Sequence, residues 1–134
     1  MPAGRQPFQY AALRIVPRVE RGEAVNAGVV LFCRPLRFLG ARTHLDQALL
    51  AALSPGCDAD EVRPLLETVE RIAAGDSAGG PIAQLPPSER FHWLVAPAST
   101  IVQPSPVHTG LTDDPAGELE RLFAELVSRP GRRG

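Results

Sequence analysis

The chain has 134 residues, 44% of them hydrophobic, and a formal net charge of −1. A chain of this length makes one domain whose core covers roughly two-thirds of the unfolded surface, enough to fold without metal or disulfide. The near-neutral charge argues against nucleic acid or an anionic membrane as partner, and no apolar run approaches the roughly 20 residues that span a bilayer.

The N-terminus lacks the apolar stretch of an export signal, which favours the cytoplasm. Residues 1–7 carry Pro2, Gly4 and Pro7 and read as a flexible end. Across residues 8–16, Ala11, Leu13 and Ile15 alternate with Tyr10, Ala12 and Arg14, the period of a strand. Pro17 stops the ladder, and the charged turn that follows contains Gly22, free to take positive φ. Residues 24–33 form a second strand. One of its faces carries Val25, Ala27, Val29 and Leu31, the other Asn26, Gly28, Val30 and Phe32. Matching apolar faces pairs Leu13 with Ala27, Ala12 with Gly28 and Arg14 with Asn26. After Arg34-Pro35, residues 36–42 add a third strand and complete a meander.

Thr43 and Asp46 have the spacing of a capping box, and Leu45, Leu49, Ala52 and Leu53 form the buried stripe of the first helix. A second helix starts between Asp58 and Arg63, packs through Val62, Leu65, Leu66, Val69 and Ile72, and ends at Gly75. Residues 75–89, rich in Gly and Pro, read as a loop. Residues 91–95 resume as a strand, 100–103 as a short edge, and 104–111 as an ordered loop. Asp113 or Asp114 caps the last helix, with Pro115 in its first turn. Leu119, Leu122, Phe123, Leu126 and Val127 recur at helical spacing and require a sheet to pack on. Pro130 ends that helix, and residues 130–134 form a second flexible end. The expected architecture is a single α+β domain over residues 8–129, an antiparallel sheet built on the N-terminal meander with three helices on one face.

Two polar segments interrupt this apolar pattern. The first contains Arg14, Arg21, Glu23, Asn26 and Gly28; the second contains Ser99, Thr100, Gln103, Ser105, His108, Thr109 and Gly110. The run R-G-E-x-x-N-x-G-V-V-L, followed much later by S-T-x-x-Q-x-S-P-V-H-T-G and a Leu-rich C-terminal helix, resembles the bacterial domain-of-unknown-function 3037 family. The resemblance covers almost the whole chain and departs slightly at Ala27, where the pattern has Val. It implies no activity and no cofactor. It does imply a partner, because members are often encoded beside a HipA-like kinase.

Each polar residue has a structural and a functional reading. Glu23 caps the turn or pairs with Arg21, or it belongs to a site. Arg14 is a solvated strand side chain, or a ligand contact. Asn26, in an apolar strand, needs partners or costs about 1–3 kcal/mol; Arg14, the His108 segment or a ligand would satisfy it. Gly28 marks a close backbone approach, here expected from the segment 99–110 crossing the same face. His108 is the acid–base candidate by intrinsic pKa, with Glu23 beside it in that role. Ser99, Thr100 and Ser105 stand near His108 in sequence but outside any nucleophile elbow. His44, His92 and His108 lack metal-ligand spacing, and Cys33 and Cys57 form no C-x-x-C pair. The leading expectation is therefore a non-catalytic accessory or protein-binding module of the bacterial cytoplasm. The alternative is a small-ligand, phosphate or nucleotide enzyme with Arg14, Glu23, Asn26, Gln103 and His108 as its pocket.

Overall fold

The computed structural model describes residues 4–17, 23–97 and 101–128. Strands β1 (Gln6–Ile15), β2 (Val25–Cys33) and β3 (Phe38–Thr43) form the expected antiparallel meander. Helices α1 (Gln47–Leu53) and α2 (Ala59–Ala74) follow, then two 3-10 turns and α3 (Pro87–Leu94). Short strands β4 (Val102–Pro104) and β5 (His108–Thr112) both pair with β1, and α4 (Pro115–Phe123) runs on into a π-helical turn at Ala124–Ser128. The five strands form one sheet of order β3-β2-β1-β4, with β5 also on β1. The α+β class read from the sequence holds.

The described residues carry four helices, and they cover both faces of the sheet. Ala11, Leu13, Val30 and Phe32 pack with Ile72 of α2 and with Phe91 and Leu94 of α3. Phe8, Val29, Leu31 and Cys33 pack on the opposite face with Leu119 and Leu122 of α4. Ile15 and Ala27 extend the first layer toward Leu50, Val62 and Leu66. Both faces of β2 are therefore buried, which is why its sequence is apolar almost throughout.

The β1–β2 register shifts at a bulge. Residues pair from Gln9↔Phe32 to Leu13↔Gly28, and then Arg14↔Asn26 and Ile15↔Val25. Ala27 is the extra residue, so Ala11 faces Val30 and Ala12 faces Val29, one position from the matched-face expectation. Its carbonyl accepts from the His44 N–H (2.8 Å), which ties the bulge to the end of β3.

Several local expectations give way. Residues 91–94 are helical and Val95 caps the helix, because Pro87 starts a helix at its first position, and Phe91 and Leu94, three apart, both turn inward. Thr43 ends β3 instead of opening a helix: its N–H and Oγ1 both donate to Glu70 Oε2 of α2 (2.9 and 2.6 Å). Asp46 caps α1 by accepting from the Leu49 N–H (3.0 Å). The buried residue of α1 is Leu50, while Leu49 is 39% exposed. Helix α2 starts at Ala59, capped by Asp58, and keeps Pro64 inside it; Gly75 at φ 73° closes it as expected. Of residues 104–111, expected as a loop, Pro104 ends β4 and residues 108–111 belong to β5.

Candidate functional site

Asn26, Arg14 and Gln103 are Cα partners across β2, β1 and β4, so the three polar side chains form one row across the sheet. The bulge puts them there. Without it Asn26 would share a face with Gly28, Val30 and Phe32; with Ala27 inserted it turns to the α4 side beside Arg14. Arg14 and Asn26 are thus the cross-strand neighbours that the sequence pattern predicts.

Asn26 is exposed at its outer surface, and its Nδ2 donates to the Leu126 carbonyl (3.0 Å) in the π turn after α4. That bond satisfies one of the carbonyls a helix end leaves open. Arg14 is half-buried, and its Nε lies out of solvent with no acceptor among the described residues. Glu23 precedes β2 by one residue of loop, and both Glu23 and Gln103 make polar interactions of their own. Arg21, Ser99 and Thr100 lie outside the described residues.

The remaining candidates go elsewhere. Gly28 does not receive the segment 99–110. A Cβ there would stand 2.8 Å from the Arg42 carbonyl and 3.0 Å from Thr43 Cγ2, so the close neighbour is β3. Its described part, residues 101–110, lies on the other side of β1. Ser105 bridges β4 and β5: its N–H donates to the Ala12 carbonyl (2.7 Å), and its Oγ accepts from the Ala12 N–H (2.9 Å). The Ser105 hydroxyl also donates to the Pro106 carbonyl (2.9 Å), so it completes a ladder and is not poised as a nucleophile. His108 is exposed and stacks at 5.3 Å on Tyr10, its partner on β1. Tyr10 and Arg14 are four residues apart on one strand, which places His108 about 13 Å from the polar row. The five-residue pocket therefore divides, with His108 set apart from Arg14, Asn26 and Gln103. Among the described residues no three His, Cys, Asp or Glu gather as metal ligands.

A different feature had no signal in the polar motifs. Leu65 and Val69 of α2, Trp93 of α3, and Pro97, Val102 and Pro104 line an apolar groove of about 370 Å³. Trp93 is 50% exposed, and Leu65, expected in the core-facing stripe of α2, is instead 39% exposed on the groove side. The sequence hid this groove because residues 91–95 read as a strand, which gave Trp93 no place on a helix surface.

The sequence profile of a family described as protein of unknown function (DUF3037) matches residues 10–127. The chain belongs to this family. No curated protein and no solved structure matches it. The match to DUF3037 takes in the polar row, the Ser105 bridge, the groove and all of α4. No described helix of the DUF3037 domain is long and apolar enough to cross a membrane.

Proposed function

We propose that this DUF3037 domain is a protein-binding accessory module and that the groove between α2, α3 and β4 is its contact surface. Trp93 carries the reading. A half-exposed tryptophan at the rim of an apolar groove is the side chain most often found anchoring protein interfaces, because it supplies a large apolar area with few rotatable bonds. The partner to test is a HipA-like kinase, in keeping with the resemblance drawn from the sequence motifs. Purified kinase from the same organism should bind the domain in calorimetry. Trp93→Ala and Leu65→Ser should each weaken binding at least about tenfold, the size of an interface anchor. A kinase that fails to bind the wild-type domain rules out this partner, and full affinity in both variants rules out the groove.

One observation favours a second reading, a small oxyanion site at Arg14. The Nε of Arg14, whose cross-strand partners are Asn26 and Gln103, is buried without an acceptor among the described residues, and guanidinium donors suit carboxylate or phosphate. Phosphate or citrate should then raise the melting temperature of the wild type and leave Arg14→Gln unmoved. Equal shifts in both proteins remove this reading.

A further inference from the structure

Among the described residues β5 pairs with β1 alone, so its other side is an edge of the sheet. Even-numbered residues of β1 point their backbone groups toward β4 and β5, as the exchange between Ala12 and Ser105 shows. The Pro7 carbonyl points the other way and accepts from Cys33 Sγ (3.4 Å). The ladder bonds to β5 therefore run through the pairs Phe8↔Gly110 and Tyr10↔His108. Thr109 and Leu111 accordingly turn their N–H and C=O groups away from β1, to the free edge. Arg5 Nη2 reaches the Leu111 carbonyl (3.1 Å), which leaves that oxygen a second lone pair.

The other edges are guarded. β3 carries Arg42, ion-paired with Glu120, and β4 ends on Pro104. Residues 105–112 contain no Asp, Glu, Lys or Arg, and residues 107–112 contain no proline. Apart from Arg5 on the Leu111 carbonyl, this edge is uncharged and proline-free among the described residues, the kind of edge that templates strand addition.

We propose that this edge pairs with the same edge of a second copy, antiparallel, about a two-fold axis at Thr109. The side chains select that occupant. In this register Thr109 faces Thr109, His108 faces Gly110 and Val107 faces Leu111. Val107 and Leu111 are 38% and 55% exposed, so the two outward apolar residues flanking the axis cover each other in both halves of the interface. The Thr pair is a favourable cross-strand contact, and no like charges meet. Such self-complementarity is what a two-fold interface requires, whereas an unrelated strand has no reason to place apolar residues at both positions.

Sedimentation equilibrium from micromolar to millimolar protein tests this. The wild type should approach twice the chain mass. Thr109→Pro removes an outward N–H at the kind of edge position where proline is tolerated, and Leu111→Arg replaces one member of each apolar pair with a charge. Both variants should sediment as monomers while keeping the wild-type circular dichroism spectrum. If Thr109→Pro fails to fold, Leu111→Arg, on an exposed side chain, decides alone. A wild type that is monomeric throughout, or a folded variant that remains dimeric, overturns the proposal.

Discussion

At the scale of single residues, the polar positions in the apolar strands have specific neighbours. Asn26 holds the chain after α4 through the Leu126 carbonyl. Asn26→Ala should therefore cost about 0.5–1.5 kcal/mol in urea unfolding, the net worth of one hydrogen bond at a partly solvated site. Asn26→Asp should cost at least as much, because a carboxylate cannot donate to that carbonyl. Cys57 gives a prediction in pH. Its thiol is pushed above the ordinary cysteine range, first by burial and then by the charges of Glu61 and Asp58. Less of it is thiolate at a given pH, so iodoacetamide should react more slowly with the folded protein than with the unfolded chain near pH 8. Glu61→Gln removes one repelling charge, lowers the thiol pKa and should speed the reaction. A folded-state rate equal to the unfolded one would refute the assignment.

At the scale of elements, α4 and the π turn that continues it are the main cover of one sheet face among the described residues. Leu119 and Leu122, each 5% exposed, lie over Val29, Leu31 and Cys33, which are fully buried, and Phe123 beside them is 8% exposed. Arg42 adds a cation–π contact to Phe123, with its Cζ 4.6 Å from the ring centre. Exposing a buried apolar side chain costs about 1.5–3 kcal/mol. Uncovering this layer thus removes as much as the about 5–15 kcal/mol that typically holds a domain together. Ending the chain before Asp114 should abolish cooperative thermal unfolding. A truncated protein that melts like the full one would make α4 an appendage. The five-residue π turn at the end of α4 has its Leu126 carbonyl bonded by Asn26, so the polar row and the C-terminal helix stabilise each other.

At the scale of the molecule, the sheet is a wall between two apolar layers, with the groove on the α2–α3 side. Trp93 is the chain's single tryptophan and reports on that side alone. Its half exposure predicts a long-wavelength fluorescence emission in the free domain. Binding of a partner in the groove should shift the emission to shorter wavelength and reduce quenching by acrylamide. A complex that leaves both unchanged would place the interface elsewhere.

Local chemistry suffices for much of this. Alternation wrote the meander, Asp46, Asp58 and Asp114 cap their helices with their own side chains, and Gly75 ends α2 because it can hold positive φ. The pairing of Arg14 with Asn26 was also legible, since near the turn the register depends on few residues. Other features needed the assembled chain. A bulge leaves no mark in a run such as Val25–Cys33, where both faces are apolar, so the side to which Asn26 turns is set by packing against α1 and α4. The same holds for residues 91–95, whose alternation fits a strand until α2 offers a surface on which Phe91 and Leu94 can be buried together. Gly28 announced a close approach in the sequence, but which strand approaches depends on the order β3-β2-β1-β4, a long-range choice that neighbouring residues do not encode.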